Sequence, residues 1–222
     1  MNSKGGDVVR PLSDRSLKLT LHRVGNDWKP GPLKEDLRKK HNLQGPIDDA
    51  FMDSFIFVRP TRQSNHPKID EWANAELERV IEHWRRHFRG YARVKDDVNV
   101  TAEDIATSNL ILWGDPSSNQ FMGQISKRLP IPWGEDAIEA KDDRYDAEHH
   151  ALIAIYPNPI NPDRYVVLNS SFTFREFAYL NNARQVSKLP DWAIVDVRTP
   201  PDSLWPGKIV AANFFNELWQ LK

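Results

Sequence analysis

The sequence predicts an α/β protein, specifically a three-layer α/β/α domain with a mainly parallel, Rossmann-like or flavodoxin-like sheet, preceded by a short β-hairpin segment. Short runs of β-branched and aliphatic residues recur without polar alternation, which is typical of strands buried on both faces. Amphipathic segments with helical spacing separate several of these runs. At 222 residues the chain fits one large domain with a sizeable core.

The first 45 residues differ from the rest of the chain. The segment SLKLTLHRV, residues 16–24, alternates apolar and polar positions, and the turn residues GND follow it, so the pattern predicts a β-hairpin. A hairpin alone is marginal in water. We therefore expect residues 1–45 to be a hairpin and linker that end a preceding β-domain or pack on the main domain. Residues 46–222 are expected to form the α/β domain.

The α/β domain contains clear strand and helix patterns. Apolar runs predict buried strands at residues 54–58, 109–114, 151–157, 165–169 and 192–197. The longest predicted helix covers residues 66–90, where apolar side chains recur at spacings of three and four and Gly90 ends the pattern. Thr101 and Asp104 form a capping-box pattern at the start of a short helix. Further helices are predicted at residues 118–129 and 173–183.

The composition of the chain limits the kinds of binding partner and of chemistry that we expect. The chain has 30 Lys and Arg residues against 31 Asp and Glu residues, a net charge of -1. Because this balance offers no basic field, we expect neither a nucleic-acid nor a membrane partner. Cysteine is absent, which excludes thiolate catalysis and Cys-ligated zinc. The polar start of the chain lacks the apolar region of a secretory signal.

Polar side chains at the predicted strand ends suggest a ligand site. In an open parallel sheet, ligands bind beyond the carboxyl ends of the strands, near the point where strand order reverses. A helix that begins near Ser118 would add backbone N–H groups and the positive end of its dipole. The predicted site would bind a small anionic or polyol ligand through Arg59, Gly114, Asp115, Ser117, Ser118, Asn119, Asn169, Ser170 and Ser171.

The segment Asp-Pro-Ser-Ser-Asn, residues 115–119, has a second interpretation. It is what a strand-to-helix turn needs, because Pro116 fixes φ and Ser117 or Ser118 caps the helix. Neither a Walker A nor a G-x-G-x-x-G pattern is present, and no cofactor is expected.

No catalytic residue and no metal-ligand set is assigned from the sequence. The G-x-S-x-G elbow of serine hydrolases is absent and no histidine follows His150, so hydrolysis by a serine of the strand-end loops is a minority alternative. His83 and His87 are four residues apart on the long helix. Arg85 and Arg86 oppose a metal ion between them, and we expect a solvated helical face there.

Several segments resemble a known family. HNLQGPIDDAFMDSFIFVRPT, IEHWRRHFRGYARVKDD, NLILWGDPSSN, YPNPINPDRYVVLNSSFTFREF and YLNNARQVSKLPDWAIVDV are similar to the C-terminal region of large bacterial proteins of the prolyl oligopeptidase (α/β-hydrolase) family. The resemblance covers the chain from about Ser16 to Lys222. Because no G-x-S-x-G matches, no catalytic residue of that family is carried over.

The resemblance implies a function for the chain. In those proteins the serine hydrolase domain lies upstream of the corresponding region. The implied role is a non-catalytic accessory C-terminal region of a bacterial serine peptidase or esterase-type protein. Its partner would be the hydrolase domain, in the same protein or in a neighbouring chain, and its location would be periplasmic or extracellular. The residues alone leave another hypothesis open, an independent α/β domain that binds a small ligand.

Overall fold

The computed structural model describes residue 13, residues 19–31 and residues 37–222. The chain divides into two compact units, with the boundary between Leu37 and Arg38. The polar start of the chain, apart from residue 13, and residues 32–36 of the proposed linker lie outside the described residues. Among the described residues, no helix combines the length and the apolar character needed to cross a bilayer.

The described part of the first unit is a β-hairpin, as the alternating pattern predicts. Strand β1 (Leu21–Val24) pairs antiparallel with β2 (Asp27–Pro30). Gly25 occupies the turn with φ of +64°, a conformation that glycine adopts without strain.

The second unit is a mixed α/β domain. Its strands are β3 (Phe55–Arg59), β4 (Val94–Asp96), β5 (Asn109–Leu112), β6 (Ala137–Ala140), β7 (Asp143–Asp146), β8 (His150–Pro157), β9 (Tyr165–Leu168), β10 (Trp192–Asp196) and β11 (Lys208–Asn213). Its helices are α1 (Pro67–Phe88), α2 (Ala102–Thr107) and α3 (Gln120–Ile125). Short 3-10 segments lie at Ile47–Phe51, Asp97–Asn99, Ser126–Arg128, Glu176–Leu180 and Asn182–Arg184.

Seven strands form one sheet in the order β11-β10-β8-β9-β5-β3-β4, while β6 and β7 form a separate hairpin. The predicted mainly parallel sheet is not confirmed. The pairings β3–β4, β3–β5 and β5–β9 are parallel, whereas β8–β9, β8–β10 and β10–β11 are antiparallel. Connection length explains two of the antiparallel pairs. The loops between β8 and β9 and between β10 and β11 are shorter than the dozen or so residues of a parallel crossover.

Helix α1 covers one face of the sheet. Pro67 occupies its first turn, where a missing N–H costs nothing, and Arg89 ends it in the left-handed conformation with φ of +58°. The sequence pattern predicts that this helix ends one residue later, at Gly90. Trp84 of α1 contacts Phe55 of β3, with ring centroids 4.9 Å apart. This contact fixes α1 over the face that also carries Phe57, which is paired with Ile111 of β5.

On the opposite face, Leu129, Pro130 and Ile131, which follow α3, line a small apolar pocket together with Leu152 and Val166 of the sheet. The three-layer α/β/α arrangement is not confirmed, because α2 and α3 have only six residues each. Residues 173–183 form 3-10 turns rather than the predicted helix. This segment contains aromatic residues and an Asn pair, which are weak helix formers.

Candidate functional site

The strand order reverses between β3 and β5. From β3 the chain crosses to β4 on one side, and β5 then lies on the other side of β3. This reversal opens a crevice at the carboxyl ends of β3 and β5, the place where α/β proteins commonly bind ligands. Arg59 and Pro60 leave β3 here, and Trp113 and Gly114 leave β5.

The side chain of Asn119 fills this crevice. Its Nδ2 donates to the backbone oxygens of Val58, at 3.3 Å, and Trp113, at 2.9 Å. Its Oδ1 accepts a hydrogen bond from the Met122 backbone N–H and thereby caps α3. Asn119 has no exposed surface. One buried amide therefore bridges the ends of the two strands at the point where a ligand would approach them.

The Asp115 carboxylate organises the loop between β5 and α3. It accepts hydrogen bonds from the hydroxyls of Ser117 (2.9 Å) and Ser64 (2.8 Å) and from the Ser118 backbone N–H (2.8 Å). The Ser118 hydroxyl in turn accepts from the Asp115 backbone N–H at 2.9 Å. Asp115 and Ser118 are buried. The Asp115 carboxylate and the hydroxyls of Ser117 and Ser118 thus have partners within the protein, as the strand-to-helix turn interpretation requires.

Gly114 and Asn169 join this loop to β9. Asn169 Oδ1 accepts from the Gly114 N–H, and Asn169 Nδ2 donates to the Gly114 oxygen, both at 2.8 Å. Gly114 has φ of +99°, and a Cβ built there would collide with the Ser118 hydroxyl. Glycine is required at this position because the backbone is left-handed and closely packed.

The nine predicted site residues form two groups and one outlier. Gly114, Asp115, Ser117, Ser118, Asn119 and Asn169 belong to one hydrogen-bonded cluster. Ser170 and Ser171 line a separate cleft on the α1 face. Arg59 pairs with Asp96 of β4 at 2.7 Å, toward the edge of the sheet.

The cleft at Ser170 and Ser171 contains residues that sequence reasoning did not assign. Trp113, Arg79 and Arg175 line it, and its volume of about 20 Å³ accommodates about one water molecule. Glu76 lines the cleft too, and its carboxylate accepts hydrogen bonds from Arg175 at 2.6 and 3.1 Å. Helical periodicity would have found Glu76, since it lies on the buried stripe of α1.

His83 is buried, so the expected solvated face at this position is wrong. Its exposed fraction is 5 % because the buried stripe of α1 extends to its last turns. Burial lowers the pKa of His83 to about 4 and raises that of Tyr179 to about 12. The Tyr179 hydroxyl lies 2.5 Å from His83 Nδ1, and His87 Nε2 lies 3.0 Å from Gln185 Oε1. One ring nitrogen of each imidazole thus has a side-chain partner, whereas His83 Nε2 is buried without a partner in the described residues.

Residues 37–222 contain no hydrogen bond between a serine hydroxyl and a histidine ring nitrogen. The ring nitrogens of His66, His149 and His150 instead contact Glu135 or Asp146. Within the described residues, no group of three or more His, Cys, Asp or Glu side chains has the arrangement of a metal site. Comparisons with protein-family models, curated proteins and solved structures gave no match to this chain.

Proposed function

We propose that this chain is a non-catalytic accessory region of a serine peptidase or esterase-type protein, the role that the resemblance of its segments implies. The observation that carries the proposal is the crevice between β3 and β5. The Asn119 amide fills it and bonds Val58 and Trp113. This amide lies where open α/β sheets commonly bind a ligand, and its position supports a region without catalysis of its own.

The environment of the loop serines also supports a non-catalytic role. A serine nucleophile needs a general base within hydrogen-bond reach. The Ser117 hydroxyl donates to Asp115, and Ser118 is completely buried. His66 follows Asn65, whose backbone N–H donates to the Ser117 hydroxyl, but the His66 side chain contacts the Glu135 backbone oxygen at 2.8 Å. Intrinsic hydrolysis by these serines would require the loop to rearrange.

An accessory region needs a surface that packs on the hydrolase domain. Phe177 and Leu180 are 47 % and 73 % exposed on one 3-10 segment, and Phe177 adjoins the loop that carries Leu204, since its N–H donates to the Ser203 oxygen. Adjoining exposed apolar side chains commonly mark a protein-binding surface. This surface, formed by Phe177, Leu180 and Leu204, is the one that we assign to the hydrolase domain.

Labelling with a fluorophosphonate probe tests the absence of intrinsic catalysis. The native chain is treated beside a known serine hydrolase and beside a heat-denatured sample. We expect labelling no higher than in the denatured sample. Native-specific modification of Ser117, Ser118, Ser170 or Ser171 would establish an active serine and refute the proposal.

Association is tested with the serine hydrolase domain encoded in the same or a neighbouring gene. Size-exclusion chromatography should show a complex with the native chain and a weakened one with Leu180→Glu. Val98→Glu is the matched control, because Val98 is also more than half exposed but lies beside β4 rather than on this surface. Equal binding by both variants would refute the assignment of this surface. If neither the native chain nor a variant forms a complex, the accessory role is refuted.

A further inference from the structure

The cleft beside Ser170 contains hydrogen-bond donors that have no protein acceptor. Trp113 is 1 % exposed and lines the cleft, and its Nε1 has no partner in the described residues. A buried indole N–H without an acceptor is costly, and such groups in native proteins normally contact a bound water or ion. The unpaired N–H of Trp113 therefore suggests that a small molecule or ion occupies the cleft.

The backbone at the end of β9 adds further donors. Asn169 adopts the left-handed conformation with φ of +51°. Within residues 37–222, the N–H groups of Ser170, Ser171 and Phe172 donate to no protein acceptor. All three residues line the same cleft. Successive free N–H groups next to a left-handed residue form the type of concavity that binds anions.

The charged side chains around the cleft pair with one another. Arg79 and Arg175 are the cations, and Glu76 is the carboxylate. Glu76 is already neutralised, because Arg175 donates to both of its oxygens and Arg79 Nε lies 3.2 Å from one of them. Glu176 pairs with Arg79 from a position outside the lining, where its side chain is 41 % exposed. Together, the two guanidinium groups are balanced by the carboxylates of Glu76 and Glu176, so the unpaired N–H donors, not a net charge, select the occupant.

We propose that this cleft binds one small monovalent inorganic anion of the size of chloride, held by Trp113 Nε1 and by the N–H groups that follow Asn169, because these donors have no protein acceptor among the described residues. The volume of about 20 Å³ fits a single ion better than an organic ligand. The proposal goes beyond the accessory role and is independent of it. The anion would hold the end of β9 against α1.

Thermal unfolding of the whole chain tests the proposal. The protein is exchanged into sodium gluconate and titrated with sodium chloride or bromide at constant ionic strength. At about ten times the dissociation constant, we expect Tm to rise by about 3 °C or more, since a ligand that binds only the folded state stabilises it. An equal Tm in gluconate and in both halides would overturn the proposal.

Two variants localise the effect. Trp113→Phe removes the indole N–H but keeps an aromatic ring beside Phe57, and it should lose at least two thirds of the halide-dependent rise in Tm. Trp192→Phe is the matched control, because Trp192 Nε1 is also buried without a partner but lies outside the lining of the cleft. Trp192→Phe should keep the full rise. Equal responses of the two variants would contradict the site.

Bromide provides a measurement that needs no variant. In crystals of the native chain grown with sodium bromide, anomalous scattering should show a peak within hydrogen-bond distance of Trp113 Nε1. A water molecule at this position without bromide would refute the anion. Because this readout is structural, it does not depend on the outcome of the fluorophosphonate or association experiments.

Discussion

Glu76 of α1 and Arg175 of the segment after β9 form a buried, bidentate ion pair. Arg175 Nη1 lies 2.6 Å from Glu76 Oε2, and Nη2 lies 3.1 Å from Oε1. The side chains are only 6 % and 4 % exposed. The Arg175 Nε also donates to the Asp202 oxygen at 2.9 Å. A single guanidinium therefore connects three chain segments that are far apart in sequence.

Removal of this guanidinium should destabilise the domain strongly. Arg175→Met leaves the Glu76 carboxylate buried with Arg79 alone, and breaking such a pair typically costs about 3–5 kcal/mol. Urea unfolding measures the loss. The control is Arg86→Met, which breaks the exposed pair with Glu82 and should cost about 0.5 kcal/mol or less. A cost for Arg175→Met as small as that of the control would show that the buried pair does not stabilise the fold.

Asn119 should be intolerant even of an isosteric change. Asn119→Asp keeps the acceptor that caps α3 but replaces the amide donor with an oxygen beside the Val58 and Trp113 oxygens. We expect a loss of about 2–4 kcal/mol in the free energy of unfolding, because two donated hydrogen bonds vanish and a buried charge appears. The free energy of unfolding is measured by urea denaturation for Asn119→Asp and for the control Gln120→Ala, which changes an exposed neighbouring residue. If both variants unfold at the same urea concentration, Asn119 does not bridge the strands.

The buried imidazole of His83 predicts a pH dependence of stability. Its pKa falls from 6.5 in the unfolded chain to about 4 in the folded chain because burial disfavours the charged form. Between these values the unfolded chain binds more protons, so the free energy of unfolding decreases as the pH falls from about 6.5 to about 4. The full loss is on the order of 3 kcal/mol.

His83→Phe isolates this contribution. Urea unfolding at pH 7 and pH 4.5 should show a decrease for the native chain that exceeds the decrease for His83→Phe by about 2 kcal/mol. His149→Phe is the control, because His149 lies away from α1, beside Asp146. Parallel pH profiles for the native chain and His83→Phe would mean that His83 is already protonated, or solvated, in the folded state.

Gly114 should not accept a side chain. In Gly114→Ala the new Cβ meets the Ser118 hydroxyl and lies 3.3 Å from Pro60 Cβ, at a φ of +99°. We expect a loss of about 2 kcal/mol or more. Gly134→Ala is the control, since its Cβ would lie 3.6 Å from the nearest atom and its φ is outside the left-handed region. Thermal unfolding compares the two, and an unchanged Tm for Gly114→Ala would show that the loop adjusts easily.

Local patterns predicted the elements that depend on local causes. The apolar stripe of α1 and the Thr101–Asp104 capping box both appear in the structure, as do the hairpin and the buried strands. Residues 173–183 did not form a helix because the segment contains weak helix formers and because Phe174 and Tyr179 pack against His83 of α1, a contact that a local pattern does not describe. The sequence pattern also did not predict the direction of the strands, because an apolar run is compatible with both parallel and antiparallel pairing.

The candidate site also shows which features the sequence predicts and which features depend on the tertiary structure. Strand-end logic placed Gly114, Asp115, Ser117, Ser118 and Asn169 near one another, and the structure has them in one cluster. The sequence could not tell that their donors and acceptors satisfy each other. Nor could it associate Ser170 with Trp113, Arg79 and Arg175, which are brought to the cleft by three different segments.

The sequence by itself determined an α/β chain with a preceding hairpin, one long amphipathic helix and polar loops at the strand ends, because periodicity and turn chemistry act over a few residues. Only the tertiary structure decided the mixed strand order, the closure of the crevice by Asn119 and the buried pair of Glu76 and Arg175. These features depend on contacts between residues distant along the chain, where packing and the pairing of buried polar groups select one arrangement among many that the same local pattern permits.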